Sequence, residues 1–340
     1  MFSFFGLSLL AQLSPLNAIT VAPSALASQY SLTSSTSLPF PSATSSGLDT
    51  DSYIVDHWSL NKNKIQNGVH DLEFVADPFP SESSGPVLRV LYPKSSFSHD
   101  TGGAQFINMW NNTDGSNFQS MMLSYEIAFD QDFPWVKGGK LPGIRGGNDT
   151  TGCSGGKEPT GLDCFSVRLM WRENGTGEVY AYIPSSNGLC HEQNIICNPD
   201  YGVSISREAF TFVGGQWNRI TILVQLNDPV SVANGNLQLY YNDLLLISQQ
   251  NLQFRSGPEV SANGLFFSTF FGGSDDTWAT PQATHTYFRN IKLWGGTRSS
   301  SLSGLPVKSP ASKSATDLLF WILPLITLIM FFRNISVLTL

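Results

Sequence analysis

Apolar and polar residues alternate along most of this chain with the two-residue period of β-strands, and sustained helical periodicity is absent outside the termini. The run WNRITILVQL (217–226) sets Asn218, Ile220, Ile222, Val224 and Leu226 on one face. VLRVLYP (87–93), MMLSYEIAF (121–129) and IKLW (291–294) alternate in the same way, and LQLYYNDLLLI (237–247) reads as a hairpin turning at Asn242-Asp243. FSVRLMWR (165–172) divides into an apolar face, Phe165, Val167, Leu169 and Trp171, and a second face, Ser166, Arg168, Met170 and Arg172. EVYAYIP (178–184) divides into Val179, Ala181 and Ile183 against Glu178, Tyr180 and Tyr182. Residues paired across a hairpin share a face, so the loop joining these runs has an odd length. A three-residue loop, Asn174-Gly175-Thr176, predicts Arg172 opposite Glu178, Met170 opposite Tyr180, and Arg168 opposite Tyr182. Ten or more short strands with long connections predict an all-β fold, a two-sheet jelly roll (a concanavalin-like sandwich) with a concave cleft.

Composition narrows the setting. Aromatic residues make up 12% of the chain and charged residues only 13%, with 30 Gly and 19 Pro, which suits tight turns and a secreted surface. The net charge of −7 argues against a nucleic-acid partner and repels a polyanion at long range. Any anion site therefore needs cations gathered locally, and Lys137, Lys140, Arg145, Arg168 and Arg172 fall within one short section. No cofactor is expected, and a zinc site of the cysteines with His191 is disfavoured because the spacing fits no standard ligand pattern. Asp275-Asp276 reads as a solvated pair of acids.

The ends read as processing signals. Residues 1–27 resemble a signal peptide, with an apolar run FSFFGLSLLAQL (2–13) and small-x-small sites at Thr20-Val21-Ala22 and Ala25-Leu26-Ala27, the second favoured. Residues 28–50 read as a Ser/Thr-rich linker, 51–296 as the folded domain, and 297–317 as a Ser/Pro-rich spacer. Residues 318–340 form a hydrophobic tail whose apolar stretch, broken by Pro324, is shorter than the ~20 residues of a spanning helix. Small residues, polar spacer and tail make the pattern of a GPI-attachment signal, with a single transmembrane anchor as the alternative. The chain is thus expected outside the cell, touching membrane through its C-terminal anchor alone, as a monomer. Sequons at Asn111, Asn148 and Asn174 agree with this. Four cysteines in an oxidising compartment predict two disulfides; Cys153–Cys164 and Cys190–Cys197 are favoured because each closes a short local loop.

The polar face of the 165–184 hairpin suits one reaction. Cleaving a 4-linked uronic acid by β-elimination requires that the C6 carboxylate be neutralised, the C5 proton removed and the departing O4 protonated. Arginine grips a carboxylate through a planar fork and keeps its charge. Tyrosine moves protons in either direction when a neighbouring cation lowers its pKa. GGKLPG (138–143), followed by a Ser-x-Arg strand and a Tyr-x-Tyr strand, resembles polysaccharide lyase family 14, the alginate and glucuronate lyases of algal viruses, molluscs and fungi. The late segment GLFFSTFFGGSDDTWATP (264–281) with YFRNIKLW (287–294) is similar to that family too.

The resemblance spans residues 57–294 and implies a catalytic set of Lys140, Ser166, Arg168, Tyr180 and Tyr182 acting on an acidic polysaccharide. Arg168, helped by Ser166, is assigned to the substrate carboxylate; Lys140 and the tyrosines are assigned to the protons, with Tyr182 favoured because the expected register sets it beside Arg168. Arg172, Gln105 and His99 are added as substrate-binding candidates, the last two because they surround GGAQF (102–106) just after a strand. Trp135 is a candidate either for stacking on a sugar or for the core. A cysteine-containing insertion between Lys140 and Ser166 departs from the family pattern. The alternative to an extracellular polyuronate lyase is a non-catalytic carbohydrate-binding or adhesion protein on the same fold.

Overall fold

The computed structural model describes residues 19–79, 85–151, 153–156, 158–185, 188–198 and 202–307. Its strands are β1 (Ser34–Ser37), β2 (Ser45–Ser46), β3 (Leu72–Val75), β4 (Val87–Tyr92), β5 (Ala104–Met109), β6 (Ser120–Phe129), β7 (Gly139–Gly147), β8 (Cys164–Trp171) and β9 (Thr176–Tyr182). They continue as β10 (Ile195–Cys197), β11 (Val203–Thr211), β12 (Asn218–Gln225), β13 (Val232–Ala233), β14 (Gly235–Tyr241), β15 (Leu244–Leu252), β16 (Ala262–Phe271), β17 (Thr284–Gly296) and β18 (Leu305–Pro306). Three short helices accompany them: α1 (Pro23–Gln29), α2 (Leu48–His57) and α3 (Ser98–Thr101).

Two large antiparallel sheets face each other. One runs β15-β14-β12-β6-β17-β4-β3-β2, with β1 also on β17; the other runs β10-β11-β9-β8-β7-β16-β5. Alternation explains the layering, because each strand turns its apolar residues to the space between the sheets. Phe165, Val167, Leu169 and Trp171 of β8 and Ile220, Ile222 and Val224 of β12 all lie in that core. Trp171 packs edge-on against Phe133 and Phe271. Trp135 joins the same aromatic cluster, 4.7 Å from Phe129 between ring centres, so it packs the core. The turn at Asn242-Asp243 is as expected, both residues in the left-handed region with φ of 48° and 68°.

The 165–184 hairpin has a three-residue loop, but the loop begins one residue earlier than expected. Arg172 N–H donates to the Thr176 carbonyl and Gly175 N–H to the Arg172 carbonyl, enclosing Glu173-Asn174-Gly175. Asn174 and Gly175 supply the positive φ values, 59° and 76°, that the turn demands, and they fix its position. The pairing is therefore Met170 with Glu178, Arg168 with Tyr180 and Ser166 with Tyr182. A slide of two residues leaves every side chain on its expected face.

Residues 28–50 are not a free linker. β1 pairs along β17 from Lys292 to Gly295, β2 pairs with β3, and α2 buries Thr50, Asp51 and Ile54. Upstream, Leu26 and Ala27 of α1 pack with Met122, Leu223, Tyr240 and Trp294 on the outer face of the nine-stranded sheet, and Val21 N–H bonds the Asp243 carbonyl. The expected spacer likewise begins as part of the domain: Ser300 N–H bonds the Leu226 carbonyl and β18 pairs with β13. The apolar leader (2–13) and the hydrophobic tail (318–340) lie outside the described residues. Among the described residues, no helix is long and apolar enough to cross a membrane. Disulfides join Cys153 to Cys164 and Cys190 to Cys197, the expected pairs. Asn111, Asn148 and Asn174 are all exposed.

Candidate active site

The face of the seven-stranded sheet turned away from the core gathers the chemistry. From β9 across to β5 it carries Tyr180 and Tyr182, then Ser166, Arg168 and Met170, then Lys140, then Ser268, then Gln105. Four of the five residues implied by the resemblance meet there in direct contacts. The Lys140 Nζ lies 3.4 Å from the centre of the Tyr180 ring and 2.9 Å from Met170 Sδ. The Arg168 guanidinium lies 5.4 Å from the Tyr182 ring and 4.5 Å from the Phe266 ring.

Arg168 is 1% exposed, and its Nη1 donates to Ser268 Oγ at 2.9 Å while its Nε–H has no partner. Because β7 separates β8 from β16, this side chain reaches across β7 near the irregularity between Leu141 and Ile144. The Pro142-Gly143 step of GGKLPG serves that crossing: a Cβ on Gly143 would stand 1.9 Å from the Val167 carbonyl oxygen. Ser268 Oγ in turn donates to Gln105 Oε1 at 3.3 Å, and Gln105 Nε2 donates to Gln66 Oε1 at 3.3 Å. Ser268 carries little signal in the sequence, since its partner lies 100 residues away; its alternation with the core residues Leu265 and Phe267 is the available one.

Electrostatics set the protonation states. Burial, reinforced by the charges of Arg168 and Arg172 and opposed by Glu178, holds the Lys140 amine well below its ordinary range. Burial brings Arg168 down to about 10, which still leaves it charged at neutral pH. The same burial, with Tyr182 adding to it, pushes Tyr180 up to about 12, so this phenol keeps its proton despite the nearby cations. The Tyr180 hydroxyl accepts from the Gly202 N–H at 3.1 Å. Among the described residues, neither Lys140 nor Arg168 has a carboxylate partner, an arrangement that disfavours the empty site and favours an anion in it.

The remaining candidates are placed otherwise. Arg172 is held by the fully buried Glu178, its Nε 2.9 Å from Oε1, so its fork is not turned to a ligand. Glu178 is further bonded by Ser204 Oγ at 2.5 Å and Arg207 Nε at 3.0 Å. Ser166 Oγ donates to the Cys153 carbonyl at 2.6 Å, which ties the disulfide-bearing insertion to β8 instead of aiding Arg168 directly. His99 sits on exposed α3, 5.8 Å from the Phe270 ring and 3.3 Å from Asp100, apart from the Arg168 chain. Asp275 caps Thr277 N–H at 3.0 Å. Among the described residues, no group of three His, Cys, Asp or Glu side chains is arranged to hold a metal ion.

A jelly roll whose seven-stranded sheet holds a buried guanidinium, an amine whose charged form burial disfavours and a phenol that keeps its proton is equipped to remove a proton beside a carboxylate. The chain belongs to polysaccharide lyase family 14, whose family model matches residues 80–291, and it is a polysaccharide lyase. It is similar to the crystal structure of the marine alginate lyase of that family from Aplysia kurodai, at 32% identity and a TM-score of 0.65, over 77% of this chain and 98% of that one. Alginate lyase Aly36B, doubly mutated and in complex with alginate tetrasaccharide, shares the fold at 17% identity and a TM-score of 0.57, over 81% of this chain and 99% of that one. Alginate lyase vAL-1 from Chlorella virus does so at 21% identity and a TM-score of 0.51, over 64% and 88%. No curated protein sequence matches the chain.

Proposed function

We propose that this lyase cleaves a 4-linked polyuronate of the alginate or glucuronan type by β-elimination, using Arg168, Lys140 and Tyr180 as its central groups. One observation carries the reading: Arg168 is a buried cation with an unpartnered Nε–H and, among the described residues, no carboxylate partner, so a substrate carboxylate completes it. Binding the C6 carboxylate there withdraws its charge and makes the C5 proton removable. Lys140, whose charged form is disfavoured first by burial and then by the neighbouring guanidiniums, accepts that proton in its neutral form. As the C5–H bond breaks, the C4–C5 double bond forms and the C4–O4 bond breaks, and Tyr180 gives O4 its proton. Proton return from Lys140 to the Tyr180 phenolate restores the site. Tyr182 flanks the guanidinium and shapes the carboxylate pocket. The shift from Tyr182 to Tyr180 as favoured acid follows from Lys140 lying over the Tyr180 ring.

The test is incubation of the purified chain with alginate and glucuronan while following ultraviolet absorbance of the unsaturated uronate. New absorbance with new reducing ends is expected; binding of the polymers without either would return the protein to the non-catalytic carbohydrate-binding alternative. The enzyme is further proposed to work outside the cell, a reading supported by its two disulfides, three exposed sequons and leader-like start. Release from intact cells by a phosphatidylinositol-specific phospholipase would support the GPI anchor, and retention would favour a transmembrane tail.

A further inference from the structure

We infer that the cleft continues beyond Gln105 to a second uronate subsite at the edge of the sheet, where Lys62 and Lys64 receive another carboxylate of the same polymer. The inference rests on the polyuronate reading of the site. β5 is the last strand of its sheet, and the segment from Trp58 to Asn67 folds along its outer edge. Met109 N–H bonds the Ser59 carbonyl, Gln66 N–H bonds the Gln105 carbonyl, and Asn108 Nδ2 donates to the Trp58 carbonyl at 2.6 Å. Buried Leu60 and Ile65 pin the two ends of this hook. Between them Lys62 and Asn63 take left-handed conformations, with φ of 55° and 48°, and both lysines are left exposed.

The lysines stand over a cavity of about 300 Å³ whose other walls include Gln105, Phe266, Thr151 and Ser154. Thr151 and Ser154 flank Cys153, whose disulfide to Cys164 clasps the segment before β8, so that segment builds this wall. The cavity adjoins the catalytic groups in two ways. Phe266 lines it and also lies under the Arg168 guanidinium, and the hydrogen-bond chain Arg168–Ser268–Gln105–Gln66 runs from one to the other. Neither lysine has an ion-pair partner among the described residues. The acids on flanking elements are engaged elsewhere: Asp149 accepts from the Thr151 backbone and hydroxyl, and Asp100 meets Asn67 and His99. β8 and β5 are three strand spacings apart, roughly 14 Å, which leaves room for more than one sugar between Arg168 and the hook. Unpaired cations at that distance, on a protein of net charge −7, suit a ligand whose carboxylates repeat along a chain.

The test is the double variant Lys62→Gln, Lys64→Gln, which removes both charges at unchanged backbone demand, compared with wild type at equal melting temperature. On long polyuronate at low salt, KM is expected to rise roughly 10-fold with kcat held, and the difference to shrink at high salt as screening takes over. On oligomers too short to reach from Arg168 to the hook, KM is expected to stay put. An unchanged KM on polymer, in an enzyme that cleaves it, overturns the subsite and leaves the catalytic assignment standing. An equal loss on short oligomers also overturns it. A wild-type chain that cleaves no polyuronate overturns the reading of the site and the subsite with it.

Discussion

Replacing Arg172 by methionine distinguishes a substrate-binding arginine from one that tunes the catalytic base. In the structure Arg172 is bonded to Glu178 and does not address the substrate; its influence on Lys140 is through charge. Both cations lie over the Tyr180 ring, the Lys140 Nζ at 3.4 Å and the Arg172 Cζ at 5.9 Å from its centre, so they are separated by no more than about 9.3 Å. At an effective dielectric constant of about 20, a unit charge at that distance is worth roughly 1.8 kcal/mol, a little over one pH unit. Removing it raises the lysine's proton affinity, and the partly freed Glu178 carboxylate acts in the same direction. The base must be uncharged to work, so activity lies above its pKa and the acidic limb of the kcat/KM profile should move about one unit or more toward alkaline pH. Below the limb this is a loss of roughly 10-fold, whereas the plateau above it should be retained. Arg207 and Ser204 still hold Glu178, and the methionine keeps the buried stem, so folding should persist; a thermal melt checks this. Initial rates of ultraviolet product formation across pH give the profile. An unmoved limb, or the same loss at every pH, would refute the assignment, and the second result would restore Arg172 as a substrate ligand.

Tyr180→Phe should lower turnover by roughly 100-fold or more with folding intact, while Met170→Leu, which removes only a sulfur contact to Lys140, should cost far less; near-wild-type rates in Tyr180→Phe would sink the proposed acid. Converting Cys153 and Cys164 to alanine should lower stability by about 2–4 kcal/mol in denaturant titration and also reduce kcat/KM below the melting range, because the carbonyl bonded by Ser166 loses its anchor. Stability loss with unaltered kinetics would detach that loop from the site. If a leader is removed, N-terminal sequencing should find the mature chain beginning before Val21, since a start at Ser28 would discard Leu26 and Ala27 and leave the patch formed by Met122, Leu223 and Trp294 uncovered, at a cost of about 2 kcal/mol for the leucine alone.

The sandwich was legible because its strands are half-buried and alternate, and the polar face of β8 and β9 was legible for the same reason. The register was not, because a slide of two residues preserves every face; only the positive φ of Asn174 and Gly175 distinguishes the two pairings. Residues 28–50 have the composition of a linker yet form β1, β2 and the start of α2. β1 is joined to β17 through backbone groups, which serine carries as well as valine does, so a Ser-rich strand gives no hydrophobic signal. Arg168 and Lys140 were found through motif and charge. Their protonation was not, since it depends on burial, which gathers residues from β7, β8, β9 and β16 that are far apart in the chain.

The order β9-β8-β7-β16-β5, closed by the hook from Trp58 to Asn67, sets the groups of the candidate site in a row across the strands that carry them. Each step along a bound polymer therefore meets a different stretch of the gene. In the proposed reaction the proton acceptor lies on β7 and the proton donor on β9, either side of the carboxylate-binding β8, and the proposed further subsite lies on the hook, which contains none of them. The proposed preference for chain length is therefore open to mutation without touching the strands that carry Lys140, Arg168 and Tyr180.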